Sequence, residues 1–137
     1  EKHRALIKHT ALFMSKMVFF PIKLGEFWTL LVVDNDRKCV THYDTSNIER
    51  PEILIQIKQL MAREAKKRGL SHYNSNHWDF SQPVNIPKNN KDYDSGTYLC
   101  MFAEYLSRRA KLPVLINIKN LRAQQTMELI ANDMFYK

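Results

Sequence analysis

Residues 27–33 are the stretch that most constrains the fold of this chain of 137 residues. They read FWTLLVV, a run that is almost entirely apolar and ends in β-branched side chains. Such a strand is stable only when both of its faces are covered from water, so it predicts a central strand with other elements packed on each side. Asp34-Asn35-Asp36 has turn chemistry, and the alternation over residues 37–43 predicts the hairpin partner.

The segments around this strand predict a mixed α+β domain. Residues 17–22 form a short apolar run that predicts a preceding strand, and apolar residues at helical spacing over 51–68 predict a helix closed by Gly69. No internal repeat or linker is visible, which favours a single domain over 1–137. Further expected elements are a helix over 2–14, a strand around Val84 and Ile86, a helix around 98–106, and a last helix over 118–135 with Leu121, Met127, Ile130 and Met134 in the core.

Composition narrows the classes of function. Lys and Arg outnumber Asp and Glu by 21 to 14, and a charge of +7 attracts acidic proteins, nucleic acids or anionic membranes without choosing among them. No nucleic-acid motif supports the second class, and no apolar run reaches the ~18 residues of a membrane span. Cys39 and Cys100 form no CxxC motif, which predicts buried, inert thiols in a reducing compartment. No signal peptide, metal site or cofactor is predicted, and the protein is expected to be intracellular.

Ser95 is the first candidate for chemistry. A polar loop that begins at Pro87 leads directly into the helix that Ser95 opens. A small hydroxyl at a helix N-terminus is placed where a nucleophile could sit, because the helix dipole favours negative charge there. No general base is visible beside it in the sequence, so the chemistry depends on residues from elsewhere in the chain.

Separate stretches of the chain together carry a family resemblance. They read PIKLGEFWTLLVVD at 21–34, HYDT at 42–45 and PKNNKDYDSGTYLC at 87–100. They resemble the patterns PIHLGxHWxLxVVD, YYDS and PQQxNGxDCGxFxC of the SUMO-specific (sentrin-specific) proteases, which are papain-like cysteine peptidases. Residues 113–129 resemble that family's last helix. The resemblance implies a papain-like α+β fold, with a mixed or antiparallel central sheet and the nucleophile-position helix packed on it.

The resemblance also implies a role for each matching position. The family uses a cysteine nucleophile, a histidine base, an aspartate that orients the histidine and a glutamine that donates to the oxyanion. These positions are occupied here by Ser95, Phe27, Asp44 and Asn89, so only the aspartate is retained. A phenyl ring cannot accept a proton, and a helix dipole contributes only about 0.3–1 kcal/mol toward ionising a hydroxyl. His42 does not replace the base, because strand alternation with Tyr43 directs it to the other face of the sheet.

These substitutions predict a natural pseudoprotease, not an enzyme, that acts as a protein–protein interaction module or scaffold. One alternative is a domain that binds SUMO or a related modifier without cleavage, with Trp28, Asp44 and Ser95 as candidate binding residues. In the family the tryptophan at the position of Trp28 helps cover the channel for the modifier's Gly-Gly tail, although a buried core tryptophan fits the pattern equally well. A further alternative is a weak or engineered hydrolase that acts through Ser95. Trp78 is predicted to be a packing residue.

The expected partner is another protein chain: SUMO, a related modifier or a second copy of this chain. The chain opens at Glu1 and does not contain the family's N-terminal segment, which carries the other wall of the channel, so it is expected to be part of a longer protein. An uncovered apolar surface would associate with another chain, and the contact is expected through the helix over 2–14 or the channel side. Nucleic acid and membranes are the least favoured partners. The family resemblance favours the nucleus over the cytoplasm.

Overall fold

The computed structural model describes residues 12–113 and 115–136. The expected helix over 2–14 lies mostly outside these residues, and residues 12–14 form a turn. The regular elements are, in chain order, β1 (Met17–Leu24), β2 (Phe27–Asp34), β3 (Cys39–Tyr43), α1 (Pro51–Lys67), a 3-10 turn (Ser75–His77), β4 (Asp79–Ser81), α2 (Asp92–Ser107) and α3 (Ile118–Tyr136).

The strands form one mixed sheet in the order β1-β2-β3-β4. The β1–β2 and β2–β3 pairs are antiparallel, while β3 and β4 run parallel. Strand β2 therefore lies inside the sheet, and every residue of it from Thr29 to Asp34 is buried. The predicted α+β class and central strand are confirmed.

Alternate residues of β2 belong to different hydrophobic clusters. Leu31 and Val33 pack on one face of the sheet with Ile57 and Met61 of α1, in a cluster that also includes Leu12 and Val40. Leu30 and Val32 pack on the other face with Tyr98, Met101 and Phe102 of α2. Because successive side chains of a strand point to opposite faces, one apolar strand supplies both layers. Trp78 packs against the α1 cluster, as predicted.

The expected strand around Val84 and Ile86 is wrong. The short strand in this region is β4, and Val84 is 65% exposed in an irregular segment. Pro83 and Pro87 bracket this segment. Proline has no N–H to donate to a strand ladder, so two prolines this close disfavour pairing even where apolar residues alternate.

The core positions proposed for the last helix are also partly wrong. Leu121 is half-buried and packs against the α2 cluster, but Met127 and Ile130 are 64% and 50% exposed. The described residues do not include the side chain of Met134. The hydrophobic stripe of α3 thus contacts the core near its beginning, and further along it faces outward.

The cysteines are not both buried, contrary to prediction. Cys100 is exposed, because α2 buries Tyr98, Met101 and Phe102 and leaves Cys100 off that face. Cys39 is half-buried, and burial raises the pKa of its thiol. A buried thiol with a raised pKa is unreactive, so the predicted inert thiol fits Cys39 and does not fit the exposed Cys100.

Arg109 joins the end of α2 to the end of β2. It follows the helix with a positive φ of 54° and donates two hydrogen bonds to the carboxylate of Asp34, at 2.8 and 3.3 Å. Burial would raise the pKa of Asp34, but the hydrogen bonds from Arg109 and from the backbone N–H of Arg37 outweigh it and lower the pKa. The ion pair joins residues 75 positions apart and so stabilises the packing of the end of α2 on the sheet.

We expect Arg109→Gln to lower the thermal unfolding midpoint clearly more than Arg108→Gln, because it leaves the buried Asp34 carboxylate without its cation. Arg108 is the matched control, since it pairs at 3.7 Å with Glu104 at an exposed site. A depressed pKa gives stability that is present above the ordinary value of about 3.9 and lost below it. The difference in thermal unfolding midpoint between wild type and Arg109→Gln should therefore become smaller below about pH 4. Equal midpoints for the two variants at pH 7 would contradict this role.

Candidate functional site

Ser95 lies in the first turn of α2 and is fully buried. Its Oγ donates a hydrogen bond of 2.6 Å to the carbonyl oxygen of Asp92 and accepts one of 2.9 Å from the backbone N–H of Trp28. The hydroxyl therefore ties the beginning of α2 to the beginning of β2. Its proton and one lone pair are both engaged by backbone groups.

Phe27 and Trp28 begin β2 and point to opposite faces of the sheet. Phe27 is half-buried and pairs with Leu24 across the β1–β2 hairpin. Trp28 is 39% exposed, so it is not a buried core tryptophan. Gly96 lies directly beside it, because a Cβ added to Gly96 would lie 3.8 Å from the indole ring.

Asp44 follows β3, and its buried carboxylate is held by groups of this chain. One oxygen accepts from the backbone N–H and the hydroxyl of Ser46 at 2.8 and 2.5 Å, and the other accepts from Nε of Arg50 at 2.7 Å. The acid that would orient a histidine instead orients the turn before α1. Arg50 is absent from the residues predicted for the site, although a cation six residues after Asp44 is a signal for such a pair.

Asn89 lies in the loop before α2, and its side-chain amide bonds locally. Oδ1 accepts from the backbone N–H of Lys91 at 3.0 Å, and Nδ2 donates to the carbonyl of Lys91 at 2.7 Å. Its own backbone N–H donates to the carbonyl of Thr45 at 2.8 Å. Asn89 therefore connects the turn after β3 to the N-terminus of α2, and its amide N–H is engaged in this loop.

His42 is buried on the α1 face of the sheet, as predicted. It pairs with Leu31 of β2, and its Nε2 lies 2.8 Å from Oγ1 of Thr29. Within the part of the chain that the structure describes, Nδ1 has no hydrogen-bond partner. Burial lowers the pKa of His42, and Arg50 lowers it further, while Asp44 and Glu52 oppose the shift. The lowered pKa favours the neutral imidazole, and the ring faces away from Ser95.

A cavity of about 460 Å³ lies against Trp28 and Gly96, the hydrogen-bond partner and the chain neighbour of the buried Ser95. Its walls include Lys23, Glu26, Trp28, Asp92, Gly96 and Cys100. A second cavity of about 410 Å³ lies between the start of α1 and the loop before α2, against Asp44, Ile48 and Val84. Over residues 12–113 and 115–136 no cluster of His, Cys, Asp and Glu could hold a metal ion. In the same residues no helix has the length and hydropathy needed to cross a bilayer.

The comparison with known families decides the assignment. Residues 1–134 match the model described as the Ulp1 protease family, C-terminal catalytic domain. The chain belongs to this family. The resemblance seen in the motifs is therefore confirmed, and it extends over almost the whole sequence.

Two relatives that are named as proteases support the same assignment. The ubiquitin-like-specific protease ESD4 of Arabidopsis thaliana is 30% identical over 98 residues, which are 72% of this chain and 20% of that protein. Sentrin-specific protease 2 of Homo sapiens is 28% identical over 103 residues, covering 74% and 18%. The matched part is thus a small fraction of these relatives' length.

Solved structures of Ulp1 family members share the fold. The C-terminal Ulp1 protease domain in complex with Smt3, the yeast orthologue of SUMO, superposes with a TM-score of 0.66 at 25% identity. The match covers 88% of this chain and 53% of that domain. The Ulp1-like SUMO protease domain of Chaetomium thermophilum has a TM-score of 0.67 at 17% identity, covering 80% and 42%, and it supports the fold alone.

The prediction that the chain is not an enzyme is contradicted by these findings. The matching model describes a catalytic domain, and the relatives are named as proteases, so the family points to an enzyme. That prediction depends on Phe27, Asn89 and Ser95 alone. Three substituted positions show only how this site differs from the sites of its relatives. The family match covers almost the whole chain and therefore identifies the kind of domain.

We expect the stability of the domain to fall as the pH is lowered from about 6.5, with a slope of up to about 1.4 kcal/mol per pH unit from His42. The reason is that the folded pKa of His42 is depressed, so the unfolded chain binds the proton first. His42→Gln should flatten this slope between about pH 6.5 and 5 in denaturant titrations. His72→Gln is the control, since His72 is exposed. If both variants kept the wild-type dependence of the free energy of unfolding on pH, His42 would be excluded as its source.

Proposed function

We propose that this domain binds the C-terminal tail of SUMO or a related ubiquitin-like modifier in the cavity beside Trp28. The observation that carries the proposal is the exposed indole of Trp28, which lines a cavity next to the position of the family's nucleophile. The match to Ulp1 proteases supports it, because one of the superposable domains was solved with the SUMO orthologue Smt3.

The contacts around Trp28 suit an extended peptide. The Ser95 hydrogen bond fixes the backbone of Trp28, so the ring is presented from a rigid strand end. Gly96 has no side chain beside the indole, which leaves room for a peptide main chain along the ring. Tyr93 and Thr97 extend the same wall. An extended tail could bury the exposed part of the indole without rearrangement of α2.

A second candidate function is hydrolysis of the bond at the modifier's C-terminus, and the match to a catalytic domain favours it. Ser95 would be the nucleophile: its Oγ would lose its proton and attack the carbonyl carbon, the amine would leave with a proton, and water would then hydrolyse the ester formed on Ser95. In the structure the Ser95 proton is donated to the Asp92 carbonyl, which is no base, and the phenyl ring of Phe27 has no lone pair. Attack would therefore require a different Ser95 rotamer and a proton acceptor such as water.

The same proposal includes a location and a range of partners. We place the protein in the nucleus or the cytoplasm, with the nucleus favoured, because the SUMO-protease resemblance implies it. Imaging of the tagged full-length protein tests this location. A protein partner other than a modifier, or a second copy of the chain, would indicate an interaction module that uses the same surface. Light scattering at high concentration distinguishes the second copy.

We expect Trp28→Ala to weaken binding of fluorescently labelled SUMO at least about tenfold, because truncation of a binding-site tryptophan typically costs more than 1 kcal/mol. Fluorescence anisotropy measures the affinity. Val84→Ala is the control, since Val84 is an exposed apolar residue outside this cavity. Its affinity should stay within about twofold of wild type. No saturable binding by the wild-type chain, or equal affinity for Trp28→Ala, would contradict the proposal.

We expect the double variant Phe27→His, Ser95→Cys to hydrolyse a SUMO-linked fluorogenic substrate about 10²–10⁴-fold faster than Ser95→Cys alone, because an imidazole supplies the missing base. The initial rate of fluorophore release is the measurement. A double variant no faster than the single one would show that position 27 does not reach the reaction centre.

The wild-type chain and Ser95→Ala complete this series. Turnover by the wild type that Ser95→Ala abolishes would establish hydrolysis through Ser95. Turnover that Ser95→Ala leaves unchanged would exclude Ser95 as the nucleophile. Thermal unfolding of each variant is recorded, because Ser95 also holds α2 against β2.

A further inference from the structure

We infer that Tyr93 is a phosphorylation site, because Lys91 and Arg122 both lie over its exposed ring and can hold the phosphoryl group. The donor is ATP, and the catalyst is a tyrosine kinase. The phenolic oxygen attacks the γ-phosphorus, the bond from that phosphorus to the β–γ bridging oxygen breaks, and ADP leaves while a base of the kinase takes the phenolic proton. The product carries a charge of about −1.5 to −2 at pH 7 and strong acceptor oxygens.

Tyr93 is the accessible tyrosine among those whose side chains the structure describes. Its exposed fraction is 62%, whereas Tyr98 is buried. The other described tyrosines are half-buried: Tyr43, Tyr73 and Tyr105. Tyr93 lies in the first turn of α2, two residues before the buried Ser95 and next to the irregular segment over 82–91. A kinase can therefore reach this phenol without opening the core of the domain.

Lys91 and Arg122 place positive charge beside the Tyr93 ring. Nζ of Lys91 lies 5.8 Å from the ring centre, and the guanidinium carbon of Arg122 lies 5.6 Å from it. Arginine binds phosphate oxygens through its planar fork of donors, and lysine binds them as a point charge. Phosphorylation would therefore replace contacts with an aromatic ring by charge-assisted hydrogen bonds, which are stronger at an exposed site.

The guanidinium of Arg122 is brought to this position by contacts that exist before any modification. Nη2 donates a hydrogen bond of 3.0 Å to the Tyr93 carbonyl, and Nη1 lies 3.3 Å from a carboxylate oxygen of the buried Asp94. The backbone of Lys91 is fixed as well, because the Asn89 amide bonds both its N–H and its carbonyl. Groups that are already ordered lose less entropy when they bind a phosphate.

The acids on either side of Tyr93 oppose the phosphate less than their place in the sequence suggests. Adjacent residues of a helix do not face each other, so Asp92 and Asp94 project away from the Tyr93 side chain. Asp94 is also buried and already faces Arg122. Asp92 is exposed and lines the same cavity as Tyr93, so its carboxylate is the acid that remains near the phosphate. Lys91, Arg122 and the helix N-terminus together outweigh it.

Phosphorylation would also alter the cavity beside Trp28, because Tyr93 forms part of its wall. This consequence rests on the proposed tail binding. Lys23 and Glu26 on the same wall neutralise each other at a distance of 3.7 Å, so the phosphate would add uncompensated negative charge beside Asp92. The phosphoryl group and its bound cations also take up room at this wall. We expect the modified chain to bind labelled SUMO at least about threefold more weakly.

The first experiment asks whether Tyr93 accepts a phosphoryl group. The full chain is incubated with a broad-specificity tyrosine kinase and ATP, and mass spectrometry of the digested product locates the modification. Tyr93 should be modified faster than any other tyrosine. Tyr105 is the matched control, since it is half-buried in the same helix and has the guanidinium of Arg108 5.0 Å from its ring centre. No modification of Tyr93, or equally fast modification of Tyr105, would overturn the inference.

The second experiment asks whether Lys91 and Arg122 hold the phosphate. Phosphotyrosine is incorporated at position 93 by nonsense suppression, and its phosphorus NMR signal is titrated with pH. The second pKa of the phosphate is ordinarily about 6, and Lys91→Gln and Arg122→Gln should each raise it by about half a unit relative to the otherwise unchanged chain. Asp92→Asn should lower it. Lys58→Gln is the matched control, since Nζ of Lys58 lies 5.5 Å from the ring centre of Phe80 in the α1 cluster.

The titration has a clear opposing result. If the pKa of the phosphate were the same in the unchanged chain and in both cation variants, these side chains would not hold the phosphate and the inference would be overturned. Lys91 is exposed, so its variant tests the contact without risk to the fold.

The third experiment measures the effect on the cavity. Fluorescence anisotropy with labelled SUMO compares the phosphorylated chain with the unmodified one. Equal affinity of the two forms would overturn the effect on the cavity while the modification site stands. No binding by either form would contradict the tail-binding proposal together with this effect, and the first two experiments would still decide the modification.

Discussion

The hydrogen bond between Trp28 and Ser95 is the contact on which the geometry of the site depends. It joins residues 67 positions apart and fixes the first turn of α2 against the first residues of β2. A hydroxyl suits this task better than a thiol, because it is the stronger donor and acceptor. Ser95 uses both capacities, toward the Asp92 carbonyl and the Trp28 N–H. Ser95 therefore holds two walls of the cavity together, the beginning of α2 and the beginning of β2.

The other positions of the family motif follow the same logic. Asp44 binds Ser46 and Arg50, and Asn89 bonds the backbone of Lys91. Each side chain is engaged within its own segment, where it shapes the turn after β3 or the loop before α2. Because these turns precede α1 and α2, the two side chains stabilise the segments that position both helices.

Local patterns and motifs predicted most of this fold, and long-range pairs account for what was missed. The apolar run of β2 and the helical spacing of α1 were visible, because periodicity is a local property. The Arg109–Asp34 pair joins residues 75 positions apart and left no local signal. The exposed side of α3 was missed for a related reason. A hydrophobic stripe predicts a buried face only when another element covers it, and none of the described residues covers Met127.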